Sequence, residues 1–506
     1  MKQEIKISKR QADILDTWNN TDENILIQAV AGSGKTTTLM LILEACKYKT
    51  LFLAFNKSIQ TEIQSRIDKQ VLTQGKALTM HALGLQALKA QGIKFSINNN
   101  KNWDLVKVIN NIYKKELRTL NREDKLRFCY TLIDYSDAAR ITLSDDIKTL
   151  DAFLIDIGKI PFKTKNEKLI ERVWENFIKL REETYKKNII DIDFYDMIYL
   201  PVREGYTIPV HPYYLMIDEA QDLNNLQHAL VTQLLNQGAI RKWIAVGDRN
   251  QAIYGFTGAS SNSFDLFKQK DNVKEMPLDI CYRCPTKIIE ASNEVYDVMK
   301  AFKTEEGIVG IEIDTNLIKP NSMVICRNTS PLFDLYIKLL HDGKPAYIDG
   351  TEILGYLVKF LNPYKTDTIV GCTKELTYIA KELAEDQTDE GKYKSFIFNE
   401  NFKNFLKVST LCSSMDIVET LLEKLKSIFE SKVDAIKLCT IHKSKGLEAD
   451  VVYILQEELI PSKFAKTPSQ IVQENNLKYV ARSRAKKELY YLQLKKRDLS
   501  PEISYE

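Results

Sequence analysis

The residues best suited to chemistry lie between Ala29 and Thr38, a stretch that reads Ala-Val-Ala-Gly-Ser-Gly-Lys-Thr-Thr-Thr. Glycines allow the backbone to wrap an anion, and the amides at the start of a following helix point at phosphate oxygens. Lys35 is placed to reach the β- and γ-phosphates of a nucleotide, and the Thr36 hydroxyl is a ligand for Mg²⁺. The alternative is a plain glycine turn between a strand and a helix. Because an apolar, strand-like run precedes the stretch and a helix-length run follows it, we predict a phosphate-binding loop. Its expected contact residues are Ala31, Gly32, Ser33, Gly34, Lys35, Thr36 and Thr37.

A pair of carboxylates, Asp218 and Glu219, ends the apolar run of residues 214–217. Asp218 is placed to hold Mg²⁺, and Glu219 is placed to orient and polarise an attacking water. Such a pair alone also fits a strand-end turn, but together with a phosphate-binding loop it predicts nucleotide hydrolysis. Gln251 follows another strand-like run and is a candidate sensor of the γ-phosphate.

Two arginines are candidates for a role in the same reaction. A further set of strand-like runs begins at residue 322 without a second phosphate-binding loop. Two α/β domains with one loop suggest a single nucleotide clamped between them. The second domain would then supply positive charge, and Arg283 and Arg484 are the candidate arginine fingers.

Aromatic and hydrogen-bonding residues come at the ends of other strand-like runs. These residues are Phe55, Thr79, His81, Tyr254 and Phe256. Because the carboxyl ends of parallel strands meet at one edge of a sheet, we expect such strand-end residues at the functional edge. Flat aromatic faces stack on unstacked bases, although the same aromatics fit a buried core equally well. Gln11, upstream of the loop, offers both a donor and an acceptor, as recognition of an adenine edge requires.

The strand-like runs predict the framework that positions these residues. A first set comprises residues 25–27, 51–55, 77–81, 214–217 and 243–246, and a second comprises 322–326, 436–440, 451–455 and 489–492. Helical periodicity without strand-like alternation, from about 90 to 190, indicates a helical insertion, and a smaller one is indicated from about 350 to 430. We therefore predict an α/β protein with two parallel-sheet domains. The first domain is expected at 1–88 and 191–276 around an insertion at 89–190, and the second at 277–350 and 433–506 around an insertion at 351–432.

Composition narrows the class of protein. The 71 Lys and Arg residues nearly balance the 68 Asp and Glu residues, which gives a formal charge of +3. This net charge does not indicate a nucleic-acid partner, so any basic surface that binds one must be local. Most of the eight cysteines lie in apolar runs, as reduced, buried thiols do. The Cys281 and Cys284 pair has no second pair at metal-ligand spacing, and we interpret it as structural. A polar N-terminus and the lack of a long apolar run predict a soluble, intracellular protein without a membrane partner.

The order of the motifs resembles that of superfamily 1 DNA helicases of the UvrD/Rep/PcrA type. The motifs that carry the resemblance are Gln11, Ala29–Thr36, Leu53–Ile63, Thr79–His81, Asp193–Met197, Asp218–Asp222, Val246–Ala259, Tyr282-Arg283, Thr440–Glu448 and Tyr479–Lys486. The segment Leu53–Lys57 and the compact length are similar to those of F-box-type and phage relatives.

The resemblance implies two RecA-like domains that form one ATP cleft, each with a mainly helical insertion. Gln11 would recognise adenine, Tyr282 would stack on it and Glu448 would contact the ribose. Lys35, Thr36, Asp218 and Glu219 would form the Mg²⁺–ATP centre, with Gln251, Arg283 and Arg484 around the γ-phosphate. The residues implied to face single-stranded DNA are Phe55, Asn56, Thr79, His81, Tyr254, Phe256, Thr440 and His442.

The function that the resemblance implies is an ATP-dependent DNA helicase that translocates along single-stranded DNA, with 3′→5′ polarity. The expected partners are single-stranded DNA and single-strand/duplex junctions, together with replication or recombination proteins. A cytoplasmic monomer is expected, in the host cytoplasm if the protein is viral. Two alternatives stay open: a translocase that displaces proteins but unwinds weakly, and a non-hydrolysing, ATP-gated DNA-binding scaffold.

Overall fold

The computed structural model describes residues 7–69, 72, 74–163, 167–255, 258–259, 262–349, 358–385, 402–430 and 434–494. The chain divides into two compact units. The first unit comprises Met1–Tyr282, Val298–Lys300 and Phe464–Asn476, and the second comprises Arg283–Asp297, Ala301–Lys463 and Leu477–Glu506.

The first unit contains a sheet of six parallel strands in the order β3-β2-β6-β7-β1-β8. The strands up to this point of the chain are β1 (Asn24–Ala29), β2 (Thr50–Ala54), β3 (Gly75–Thr79), β4 (Phe95–Ile97), β5 (Ile190–Ile192), β6 (Tyr214–Ile217), β7 (Lys242–Gly247) and β8 (Val273–Leu278). β2 and β7 are buried along their whole length, as expected for strands of a parallel sheet covered on both faces. The five predicted strands of this set are confirmed, whereas β8 is an edge strand with exposed charged residues and gives no apolar signal.

The first helix of the first unit begins with a capping box at Ser8. The Ser8 hydroxyl accepts from the amide of Gln11, and the Gln11 side chain accepts from the amide of Ser8. The helices of this unit are α1 (Lys9–Asn20), α2 (Lys35–Ala45), α3 (Lys57–Lys69), α4 (Met80–Ala90), α5 (Lys101–Ile112), α6 (Lys114–Leu117), α7 (Arg122–Thr142), α8 (Ile147–Asp156), α9 (Glu167–Thr184), α10 (Asp196–Arg203), α11 (Asn225–Asn236) and α12 (Ser263–Lys268).

Helices α5 to α9 form the helical insertion around a core of their own, which includes Leu132, Trp174 and Phe177. The insertion is framed by β4 and β5, which pair in parallel with Phe95 opposite Ile190. The sequence pattern did not show β4, because three residues, two of them exposed, are too few to display an alternation.

The second unit contains another six-stranded parallel sheet, in the order β11-β16-β15-β12-β14-β13. The remaining strands are β9 (Ile280–Cys281), β10 (Lys300–Ala301), β11 (Ile308–Glu312), β12 (Met323–Cys326), β13 (Ala346–Ile348), β14 (Ile436–Thr440), β15 (Ala449–Leu455) and β16 (Ala485–Leu492). The four predicted strands of the second set are confirmed, and two parallel sheets establish the predicted fold class.

Helices of the second unit cover its sheet and build its smaller insertion. The remaining helices are α13 (Thr286–Asn293), α14 (Thr329–His341), α15 (Ile369–Glu385), α16 (Val418–Glu430), α17 (Ile441–Ser444) and α18 (Pro468–Arg482). Short 3₁₀ turns occupy Ala220–Asp222, Arg249–Gln251, Thr315–Leu317, Asn362–Tyr364 and Glu457–Leu459. One core joins the sheet to the insertion, with Leu335, Leu438 and Leu421 fully buried in it. No helix within the described residues is both long enough and apolar enough to cross a bilayer.

Candidate active site

The loop between β1 and α2 has the backbone that an anion cradle needs. Gly32 and Gly34 adopt φ values of 67° and 81°, a left-handed conformation that a side chain would strain. Gly34 is the N-cap of α2 and provides no side-chain cap, so the first amides of the helix stay available for a ligand. The carbonyl of Gly32 accepts a 2.9 Å hydrogen bond from the amide of Tyr282, which ties the loop to the end of the first unit.

Ser33 shows that the loop fits a phosphate group. Its side chain is almost fully buried, and its hydroxyl has no hydrogen-bond partner among the residues that the structure describes. Buried polar groups are normally satisfied. A hydroxyl donor in this position, flanked by two left-handed glycines and followed by Lys35, is the environment that a phosphate oxygen would complete. The structure therefore supports a nucleotide phosphate as the ligand of this loop.

Thr36 and Asp218 are in direct contact. The Thr36 hydroxyl donates a 3.1 Å hydrogen bond to Oδ2 of Asp218. Asp218 follows β6 and is buried, and its burial together with the neighbouring charge of Glu219 raises its pKa to about 6. A hydroxyl and a carboxylate side by side are oxygen ligands of the kind that Mg²⁺ prefers, with phosphates and water completing its shell.

Glu219 is held in an unusual conformation between two partners. Its φ of 51° is left-handed, which is uncommon for a residue with a long side chain. Its Oε1 lies 3.7 Å from the ammonium of Lys35, and its Oε2 accepts a 2.5 Å hydrogen bond from the amide of Gln221. The carboxylate is thereby aimed at the phosphate-binding loop.

Gln221 extends this arrangement to the next strand end. Its Oε1 accepts a 3.0 Å hydrogen bond from the amide of Asp248, whose carboxylate accepts a 2.7 Å bond from the side chain of Gln251. Gly247 leaves the space for this side chain, because a Cβ there would lie 2.2 Å from Oε1 of Gln221. The structure thus joins Glu219 to Gln251, two candidates that lie 32 positions apart, through residues that sequence reasoning missed. The available signal for Gln221 was its position inside the strand-end motif Asp218–Asp222.

Gln11 lies against the phosphate-binding loop, where hydrogen bonds hold its side-chain amide. Its Oε1 accepts from the amide of Ser8 at 3.1 Å, and its Nε2 donates to the hydroxyl of Thr38 at 3.1 Å. Thr38 in turn donates a 2.9 Å bond to the carbonyl of Gly34. These bonds fix the orientation of the Gln11 amide beside the loop.

Arg283 and Glu448 form an ion pair within the second unit. Nε of Arg283 donates a 2.7 Å bond to Oε2 of Glu448, and Nη1 donates to the carbonyl of Ser483 at 3.1 Å. Although burial alone would raise the pKa of Glu448, Arg283 and Lys486 hold it below its ordinary value. The pairing orients both candidate side chains.

Arg484 is buried in the same unit. It donates to the carbonyl of Val480 at 2.9 Å and to the carbonyl of Leu447 at 3.2 Å. Thr440 is the N-cap of α17 and accepts from the amide of Lys443, and His442 lies in the first turn of that helix. The segment 440–448 therefore forms a short helical turn at the carboxyl end of β14.

Two aromatic pairs lie at the carboxyl ends of the strands in the first unit. Phe55 stacks on Tyr254 with ring centroids 5.4 Å apart, and His81 stacks on Phe194 at 3.6 Å. Phe194 is 56% exposed and was not singled out from the sequence, although it lies inside a quoted motif. Burial lowers the pKa of His81 to about 4, so its ring is neutral near pH 7. Phe256 lies outside the described residues.

Two predicted DNA contacts serve as helix caps in this structure. Oδ1 of Asn56 accepts from the amide of Ile59 at the start of α3, and the Thr79 hydroxyl accepts from the amide of Ala82 at the start of α4. The predicted strand 77–81 ends early, at Thr79, because this cap starts the helix there. His81 consequently lies in the first turn of α4.

Two models of helicase domains match this chain. Residues 10–272 match the model of the UvrD/REP helicase N-terminal domain, and residues 366–496 match the UvrD-like helicase C-terminal domain. The chain is 28% identical over 298 residues to the ATP-dependent DNA helicase Rep of Buchnera aphidicola subsp. Acyrthosiphon pisum, a match that covers 54% of this chain and 43% of that protein.

Two further relatives show how the coverage varies. The ATP-dependent DNA helicase PcrA of Leuconostoc citreum is 24% identical over 323 residues, covering 60% of this chain and 41% of that protein. The F-box DNA helicase protein 1 of Schizosaccharomyces pombe is 24% identical over 535 residues, covering 96% of this chain and 57% of that protein. The chain spans less than half the length of the bacterial relatives that it matches.

Proposed function

The chain belongs to the UvrD/Rep helicase family, and on that premise we propose that it is an ATP-dependent translocase on single-stranded DNA that unwinds duplex DNA. The observation that carries the proposal is the convergence of Lys35, Thr36, Asp218 and Glu219 on one glycine loop. A loop that only turned the chain would not need a half-buried lysine, a buried carboxylate and a glutamate in a left-handed conformation around it.

The chemistry proposed for this site is hydrolysis of the γ-phosphate of ATP. Lys35 and the amides of α2 bind the phosphates, and the carboxylate of Glu219 orients the attacking water and accepts its proton. Mg²⁺, held through Thr36 and Asp218, would neutralise charge on the phosphate oxygens. Gln251 senses the γ-phosphate, and its bond to Asp248 links that response to Gln221 and Glu219.

Arginines of the second unit are proposed to complete the reaction. Arg283 and Arg484 stabilise the negative charge that develops on the phosphoryl group during transfer. Tyr282 stacks on adenine, Gln11 recognises its edge and Glu448 contacts the ribose. The order of the motifs supports these assignments. We also propose domain divisions after residues 88, 190, 276, 350 and 432.

Aromatic side chains are proposed to hold the DNA strand. The Phe55–Tyr254 and His81–Phe194 pairs offer flat faces at the sheet edge where ligands of parallel α/β domains bind. Thr440 and His442 contribute from the second unit. ATP binding and hydrolysis would alternate the grip on successive bases, and phosphate contacts would make the affinity salt-dependent and nearly independent of sequence.

The proposed polarity is 3′→5′, as the resemblance to this helicase branch implies. Duplexes with a 3′ or a 5′ single-stranded tail test it by gel separation of the displaced strand. Strand displacement that needs ATP and a 3′ tail is the expected result. Unwinding of the 5′-tailed duplex alone would reverse the polarity. Streptavidin displacement without strand separation would favour a protein-displacing translocase.

A further inference from the structure

A buried cluster of charges joins the helical insertion of the first unit to the segment that carries Phe194. Arg140 of α7 is fully buried, and its Nη1 donates to Asp193 at 2.6 Å and to Asp196 at 3.0 Å. Its Nη2 donates to Asp137 at 2.7 Å. One guanidinium thus binds a carboxylate of its own helix and two carboxylates that flank Phe194 and Tyr195.

Lys101 of α5 adds a second buried cation. Its ammonium donates a 2.7 Å bond to Oδ2 of Asp196 and lies 3.9 Å from the ring centroid of Tyr185. The Tyr185 hydroxyl donates a 2.6 Å bond to Oδ1 of the same aspartate. Asp196, the first residue of α10, is therefore held by α5, by α7 and by the segment that follows α9.

The Asp196 carboxylate stays ionised within this cluster. Burial alone would raise the pKa of Asp196, but Arg140 and Lys101 lower it to about 2. Burying an ion pair costs much of what its attraction returns, so such a cluster is weak evidence for stability and better evidence for a fixed geometry. Two cations with three carboxylates specify one arrangement of the chain around them.

The geometry that the cluster fixes is the turn formed by Asp193, Phe194, Tyr195 and Asp196. The amide of Asp193 donates to Oδ2 of Asp196 at 3.1 Å, and the amide of Asp196 donates to Oδ1 of Asp193 at 3.0 Å. Arg140 also lies 5.1 Å from the ring centroid of Tyr195. Phe194 is the exposed member of this turn and stacks on His81.

We propose that Arg140 is a positioning residue for DNA binding: from within the helical insertion it fixes the turn that holds Phe194 against His81, ready to stack on an unstacked base. The inference rests on the proposed function, because it gives the exposed ring a nucleic-acid ligand. It also gives the helical insertion a role in DNA binding through the contacts of the buried Arg140 side chain.

A double-mutant cycle tests the inference in the full chain. The measured quantity is the oligo(dT) concentration that half-maximally stimulates ATP hydrolysis, for wild type, Arg140→Gln, Phe194→Ala and the double variant. Each single variant is expected to raise it about tenfold, because loss or misplacement of one stacking face weakens binding by that order. If Arg140 acts through Phe194, the double variant is no weaker than Phe194→Ala alone. Additive losses, near a hundredfold, would overturn the inference.

The controls separate positioning from general damage. Hydrolysis without DNA is expected to be unchanged in Arg140→Gln, as is the whole profile of Arg172→Gln, an arginine of the same insertion whose side chain is 55% exposed. If Arg140→Gln does not fold, Lys101→Met, which keeps the volume of the side chain, takes its place with an expected three- to tenfold effect that also vanishes in the Phe194→Ala background.

The remaining outcomes distinguish the two levels of the account. A wild-type protein without any DNA stimulation would overturn the proposed function and the inference with it. Two other outcomes would overturn the inference and leave the proposed function standing. In the first, DNA stimulates the wild type and Phe194→Ala does not change that stimulation. In the second, Arg140→Gln weakens stimulation equally with and without the Phe194 ring.

Discussion

Gln221 donates a 2.5 Å hydrogen bond from Nε2 to Oε2 of Glu219, while its Oε1 accepts from the amide of Asp248 at 3.0 Å. One side chain therefore connects the carboxylate proposed to orient water with the loop that carries Gln251. Breaking this connection is not expected to weaken nucleotide binding, because Gln221 acts on the reaction through Glu219.

Gln221→Leu is expected to lower the kcat for ATP hydrolysis tenfold or more, with little change in KM for ATP. The reason is that Glu219 loses the hydrogen bond from Gln221 and orients water poorly, whereas Lys35 and the loop amides still bind phosphates. Steady-state kinetics with saturating oligo(dT) measure both constants. The exposed Gln269→Leu serves as the matched control.

Gly247→Ala tests the same role of Gln221 by displacing its side chain. Its Cβ would lie 2.2 Å from Oε1 of Gln221 and 2.8 Å from the ring of Phe264, so the glutamine must move. The same kcat defect is expected. A variant with normal kcat would show that the position of Gln221 does not matter.

Asp218→Asn is expected to abolish Mg²⁺-dependent hydrolysis and yet stabilise the nucleotide-free protein at pH 7.5 by about 1–3 kcal/mol. The pKa of Asp218 rises from an ordinary 3.8 to about 6 on folding, because the carboxyl is buried beside Glu219. Between these values the native state binds more protons than the unfolded state, so stability falls as pH rises through this window.

Thermal unfolding of wild type and Asp218→Asn between pH 3 and 8 follows this difference. The gap between the two proteins is expected to be smallest near pH 3, where the carboxyl is protonated in both the native and the unfolded state, to widen between about pH 4 and 6, and to stay constant above about pH 7. A gap that does not change with pH would contradict the assigned pKa. For the same reason, the Mg²⁺ concentration required for hydrolysis should increase as pH falls below about 6.

Tyr254→Ala is expected to raise the half-saturating concentration of oligo(dT) about tenfold, since one stacked base is worth about 1–3 kcal/mol. Phe55→Ala should act in the same direction, because the Phe55 ring stacks on the Tyr254 ring with centroids 5.4 Å apart and helps to hold it in place. Fluorescence anisotropy of labelled oligo(dT) measures the affinity. Tyr378→Ala, an exposed tyrosine of α15, is the control, and equal affinities of Tyr254→Ala and wild type would remove this pair from the DNA site.

Gly84→Ala is expected to destabilise the first unit by about 1–3 kcal/mol, despite the better helix propensity of alanine. The added Cβ would lie 2.0 Å from the carbonyl oxygen of Met197, where α4 crosses α10. Because α4 carries His81 and α10 begins two residues after Phe194, the same change should weaken DNA binding. Urea unfolding gives the stability, with Gly371→Ala as the control, whose Cβ meets only the Thr368 hydroxyl at 3.1 Å. An unchanged unfolding midpoint for Gly84→Ala would mean that the crossing relaxes easily.

The parallel sheets were predictable because their central strands are continuous apolar runs. Every residue of β7 and β12 is buried, and such continuous apolar runs are typical of strands inside a parallel sheet. Two edge strands lack that signal, because β8 exposes Lys274 and Glu275 and β11 contains no buried residue. The short pair β4 and β5 forms only when distant segments meet, which no local pattern reports.

The candidate site was predictable where its chemistry is local. The glycine loop and the Asp218-Glu219 pair are contiguous in sequence, so residue type and order suffice to find them. Gln221, Asp248 and Arg140 act through contacts between different elements. Their significance depends on distances and burial that only the folded chain establishes.

The central claim is that Lys35 and Glu219 form an ATP-hydrolysing centre that responds to DNA. The most direct measurement is the rate of ATP hydrolysis by wild type, Lys35→Ala and Glu219→Gln, each with and without oligo(dT). We expect that oligo(dT) stimulates the wild type at least tenfold, that Lys35→Ala loses ATP binding and hydrolysis, and that Glu219→Gln binds ATP but hydrolyses it at least a hundredfold more slowly. DNA-stimulated hydrolysis that survives Glu219→Gln at the wild-type rate would contradict the central claim.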